Sequence, residues 1–112
     1  LDQMVGIAAL TYLDKAAKRQ ILSNLAEVRL FTSYRCSAHE YRTFAVGHLH
    51  FLMYKKLMPW DHLAGSLISQ EAGAYVARLD GSAYLPHNFE GGLLIAPDRD
   101  SWQELRDKVF VS

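Results

Sequence analysis

With 112 residues, 50% of them apolar and 21% charged, the chain can bury one hydrophobic core and is too short for two. Twelve basic and twelve acidic side chains cancel and are scattered, which argues against nucleic acid or an anionic membrane surface as partner, and no apolar run reaches the ~20 residues of a membrane span. Cys36 is the single cysteine, so an internal disulfide is excluded and a reducing cytoplasm is the compartment that fits. The start, Leu1-Asp2-Gln3-Met4, has neither an initiator methionine nor the basic-then-apolar order of a signal peptide and reads as a cut end.

The chain opens with an apolar stretch over residues 4–13. Asp14 then caps a predicted helix reaching about Leu25, with Ala17, Ile21, Leu22 and Leu25 on the core side. Residues 28–31 read as a short strand. Ser37 and Glu40 have capping-box spacing, which starts a helix that runs to Val46 and stops at Gly47. From residue 48 to 54 the side chains alternate. Leu49, Phe51 and Met53 fall on one face of a strand and His48, His50, Leu52 and Tyr54 on the other, both largely apolar or aromatic, as in a covered sheet.

Pro59-Trp60-Asp61 opens the next helix, predicted to turn Leu63, Ala64, Leu67, Ile68 and Ala72 inward and to end at Gly73. A strand over residues 75–79, a turn at Asp80-Gly81 and a loop over residues 82–92 follow. Leu93-Leu94-Ile95-Ala96 is wholly apolar, as a central strand is, and Pro97 ends it. Ser101 and Glu104 suggest a second capping box for a last helix to about Phe110. Strands alternating with helices predict a single α/β domain over residues 1–112: a mixed, mostly parallel sheet of four to five strands covered by helices on both faces.

The chemistry concentrates around Asp61. A carboxylate in the first turn of a helix sits at the positive end of the dipole, stays ionised and is held rigidly, so it can cap the helix or ligate a metal. His48 and His50, two apart on one strand face, have the spacing of a zinc pair; with no cysteine or carboxylate in a supporting position, packing or a pocket wall is the reading we adopt. No nucleophile elbow surrounds Ser37, so helix capping is its expected role, and the exposed amides there could also hold an anion. Glu71 is expected to make a structural hydrogen bond.

Trp60-Asp61-x-x-Ala64-Gly65, followed by Glu71-Ala72-Gly73, resembles the second signature of the inositol monophosphatase family. The resemblance extends to Ser37-Ala38 at a helix start, where that family has a Gly-Ser/Thr-Ala turn at the substrate site, and to Leu79-Asp80-Gly81. It implies a phosphatase, with this chain as its C-terminal α/β half and Asp61 as a ligand to catalytic magnesium. Ser37, Ala38 and Tyr54 would line the substrate pocket. It further implies in-line hydrolysis of a small polyol or sugar phosphate by metal-activated water, without a covalent intermediate.

Three positions depart from the family pattern. Tyr54 stands where a Glu commonly contacts an inositol hydroxyl, His50 where an Asp is usual four residues earlier, and Cys36 where a glycine precedes Ser37. A tyrosine cannot supply the same charge-assisted acceptor. The family's Asp-Pro-x-Asp-Gly-Thr segment has no counterpart here, so the chain alone is expected to be inactive, to depend on a missing N-terminal catalytic half, and to form homo-oligomers through the apolar face that half would cover. The alternative is a non-catalytic ligand-binding or oligomerisation domain that retains the fold.

Overall fold

The computed structural model describes residues 1–10, 13–32, 37–45, 47–54, 59–84 and 92–110, with the side chains of residues 37–39, 59–61 and 63–64 outside that description. In chain order the elements are β1 (Val5–Ala9), α1 (Lys15–Asn24), β2 (Leu30–Thr32), α2 (Ser37–Ala45), β3 (Phe51–Tyr54), α3 (Pro59–Glu71), β4 (Tyr75–Arg78), β5 (Leu93–Ala96) and α4 (Arg99–Lys108).

The strands form one sheet in the order β2-β1-β3-β5-β4. β1 pairs in parallel with β2 and β3, whereas β5 lies antiparallel to both β3 and β4. Four of the five strands therefore point one way and β5 alone is reversed. This is the mixed, covered sheet predicted from the alternation of elements. Strand periodicity sorts the core into two layers. Ala8, Phe51, Met53, Ala77, Leu94 and Ala96 face α1 and α4, where Ile21, Trp102, Leu105, Val109 and Phe110 cover them. Ile7, Leu52, Tyr54, Leu93 and Ile95 face the opposite side, where Tyr41 and Phe44 of α2 close over them. All four residues of β3 and of β5 are buried, as expected of interior strands covered on both sides.

Local rules account for most boundaries. Asp14 accepts from the Ala17 amide at 2.8 Å and starts α1, as anticipated. Gly47 and Gly73 adopt φ of +90° and +93°, where a side chain is strained, and their amides bond back to Phe44 and Gln70, closing α2 and α3.

Three expectations are corrected. The strand predicted from residue 48 begins only at Phe51, so His48 and His50 lie outside it and Leu49 packs with Leu52 and Tyr54 instead of with Phe51 and Met53. Leu22 is 42% exposed, because α1 presents Ile21 to the core and passes into a 3-10 turn at Leu25–Glu27. Ser101 does not cap α4. Asp98 does, accepting from the Ser101 amide at 2.7 Å and placing Ser101 inside the first turn. Two good capping residues stand three apart there, and the one following Pro97 wins.

The Asp98 carboxylate is held below the usual aspartate value of 3.8, first by the Ser101 backbone amide and then by the Ser101 side chain. A depressed carboxylate stabilises fully above its unfolded pKa and loses that contribution as pH falls through its folded value. Asp98→Asn keeps a capping side chain without the charge. Thermal melts at pH 7 and pH 3 should therefore show a smaller acid-induced loss in the variant than in the parent chain.

Candidate active site

α2 and α3 lie on the same face of the sheet and pack against each other. Their N-termini carry the residues of interest: α2 begins at Ser37, followed by Ala38, and α3 begins at Pro59, with Asp61 third. Proline suits a first helical position, where its missing N–H would have no partner and its φ is already helical. That start puts Asp61 in the first turn, where the helix dipole favours an anion. The side chains of Ser37, Ala38 and Asp61 lie outside the described residues, and so does Cys36. What the fold fixes for them is their place at two helix starts.

Tyr54 ends β3. It is 4% exposed, and its hydroxyl donates to Glu40 Oε1 at 2.9 Å. Beside it, Tyr41 Oη lies 3.0 Å from His62 Nδ1. The Tyr54 ring is 4.5 Å from the His62 ring and 5.4 Å from that of Tyr41, centroid to centroid. Glu40, Tyr41 and His62 were missed as members of this group. Capping-box spacing accounts for Glu40 only as a helix-start residue, yet Glu40 and His62 are both buried. A usable signal was present in α2, where Glu40, Tyr41 and Phe44 recur at helical spacing on one face.

The inner face of α3 differs from expectation. Leu67 and Ile68, predicted inward, are each 54% exposed and Ala72 is exposed as well; Leu63 and Ala64 lie outside the described side chains. Toward the core α3 presents His62, Gly65, Ser66 and Ser69. These small and polar residues let α2 approach closely: a methyl added to Gly65 would overlap the Tyr41 ring. The polar groups are engaged, with Ser69 Oγ donating to the Gly65 carbonyl at 3.0 Å.

His50 is a backbone clip. Its Nδ1 accepts from the Val5 amide at 2.9 Å while its own amide donates to the Val5 carbonyl, so that ring nitrogen has no lone pair to offer a metal. In Leu79-Asp80-Gly81, Asp80 Oδ1 accepts from the Ser82 hydroxyl and amide, which hold its carboxyl below the usual value, the hydroxyl foremost. The segment serves as a turn. Glu71, at the end of α3, is exposed.

Magnesium requires a near-octahedral set of oxygen ligands. Among the described residues no group of three or more His, Cys, Asp or Glu could hold a metal ion.

An α/β sheet covered on both faces, with α2 and α3 packed together on one of them, defines the class of fold. A family model described as the inositol monophosphatase family matches residues 7–110, and the chain belongs to that family. Solved structures with the same fold include the Staphylococcus aureus inositol monophosphatase-II, at 23% identity and a TM-score of 0.83 over 98% of this chain and 41% of that one. The extragenic suppressor protein suhB from Bartonella henselae matches at 21% identity and a TM-score of 0.84, over 97% of this chain and 42% of its own. An inositol monophosphatase from Zymomonas mobilis matches at 15% identity and 0.81, over 99% and 44%. The chain therefore spans less than half the length of these relatives. No curated protein matches it significantly. No helix among the described residues is long and apolar enough to cross a membrane.

Proposed function

We propose that this chain is the C-terminal part of a magnesium-dependent phosphate monoester hydrolase acting on a small polyol or sugar phosphate in the cytoplasm. The observation that carries the reading is the start of α3 at Pro59, which puts the family-like Asp61 in a first helical turn next to the start of α2. Bound magnesium would supply an activated water and neutralise phosphate charge. Asp61 contributes one carboxylate to it, and the remaining ligands come from a segment outside this chain. Ser37 and Ala38 offer the amides of a helix start to the phosphate, where unpaired N–H groups and the dipole favour an anion.

Support for the substrate class comes from the staphylococcal relative, solved with inositol monophosphate and with 2′-AMP bound. Both are phosphate monoesters on a hydroxylated ring. Because position 54 is a tyrosine, myo-inositol phosphate is not the substrate we favour. The competing reading, a non-catalytic binding domain, draws on the same substitution, with Tyr54 committed to Glu40.

Assay of the isolated 112-residue chain with magnesium and a panel of phosphate monoesters should give no turnover above background. Robust phosphate release would refute the dependence on a second half. An acidic metal motif encoded upstream would favour the enzyme over the binding domain, and its absence the reverse. Leu67 and Ile68, apolar and over half exposed on α3, further support association with the second half or with another copy. Light scattering of the chain should report species larger than a monomer, and a clean monomer at high concentration would count against self-association.

A further inference from the structure

Glu40, Tyr41 and His62 have no part in the chemistry proposed above, yet they are buried polar residues placed between the two helix starts. Glu40 closes the first turn of α2, Tyr54 ends β3, and His62 follows Asp61 in the first turn of α3. The Tyr54 hydroxyl joins β3 to α2 through Glu40 Oε1 at 2.9 Å. Tyr41 Oη joins α2 to α3 through His62 Nδ1 at 3.0 Å, and the tilted and edge-on ring contacts among Tyr41, Tyr54 and His62 bind the two links into one unit. A carboxylate that is 2% exposed is costly unless hydrogen-bonded, and a satisfied buried network is correspondingly rigid. Neither bond is local, since the partners are 14 and 21 residues apart.

We infer that Glu40, Tyr41, Tyr54 and His62 form a positioning unit that couples the first turn of α2 to the first turn of α3. Tyr54 then acts through Glu40 instead of touching substrate. The coupling itself is independent of the phosphatase reading, on which only the identity of what the two turns carry depends.

Hydrogen exchange in the 112-residue chain tests the coupling. In an α-helix from Pro59 the amides of residues 63–66 bond to the carbonyls of residues 59–62, and they exchange when the first turn opens. Tyr54→Phe and Glu40→Ala should each speed exchange at residues 63–66 and at the corresponding amides of α2 by about tenfold relative to α4, and the double variant should do little more than either. Glu40→Gln retains an acceptor and should restore protection. If Glu40→Ala is too unstable to purify, Tyr54→Phe and Glu40→Gln carry the test. Unchanged exchange, acceleration equal to that of α4, or a response in α2 alone would overturn the proposal.

In the complete protein, terbium luminescence adds a readout that packing alone would not move. Tyr54→Phe should weaken terbium affinity several-fold with Glu40→Gln near the parent chain, and equal affinity in all three would leave the unit no positioning role at Asp61. Asp61→Asn should abolish the site. If it does not, the metal reading falls, and the exchange pattern alone decides whether the two turns are coupled.

Discussion

Gly65→Ala should lower the melting temperature of the chain, reversing the usual effect of this substitution. In an open helix, alanine in place of glycine gains up to about 1 kcal/mol of helix propensity. Here the added methyl would overlap Cδ2, Cγ and Cε2 of Tyr41, a ring that is buried and engaged with both His62 and Tyr54. Overpacking of that kind costs about 1–3 kcal/mol. The ring cannot swing aside without breaking its contacts, so the overlap outweighs the propensity gain. For a chain of this length the net loss corresponds to a fall of roughly 4–8 °C per kcal/mol, measurable by circular dichroism. A rise in melting temperature would show that α2 and α3 do not approach as closely as the structure has them.

Asp61→Asn, made in the complete phosphatase to which we assign this chain, should reduce magnesium-dependent phosphate release by about 100-fold or more. Loss of a group that merely orients a ligand already costs about 10–100-fold, and Asp61 is proposed as a ligand itself. Asp61 is the third residue of α3, where losing the charge forfeits a dipole interaction of about 0.3–1 kcal/mol, so the melting temperature should fall only slightly. That contrast separates the two readings of the residue. A helix-dipole role alone predicts nearly full activity in the variant, whereas a magnesium ligand predicts a stable, inactive protein.

Where local chemistry decides, the fold was legible in the residues. The wholly apolar 93–96 run is β5, buried between β3 and β4; Asp14 caps α1; Pro59 opens α3; Gly47 and Gly73 close helices. Tertiary contacts decided the rest. Hydrophobicity points Leu67 and Ile68 of α3 inward, but the close neighbour is the Tyr41 ring, and only a glycine with serines beside it lets the helices approach. Alternation suggests that the strand reaches His48, but the Val5 amide donates to the His50 ring there instead of to a strand carbonyl. Asp61, Ser37 and Ala38 are nominated by the family-like motif alone; Glu40 and Tyr41 share a helical face of α2 that spacing shows, whereas their meeting with Tyr54 of β3 and His62 of α3 is set by tertiary packing that no spacing along the chain announces.

The most direct test of the central claim is an anomalous difference map from crystals of the complete protein grown with manganese, a dense stand-in for magnesium. The account predicts a peak at about 2.1 Å from the Asp61 carboxylate, facing the start of α2. A map with no peak beside Asp61, its carboxylate bonded only to the amides of its own helix, would contradict it.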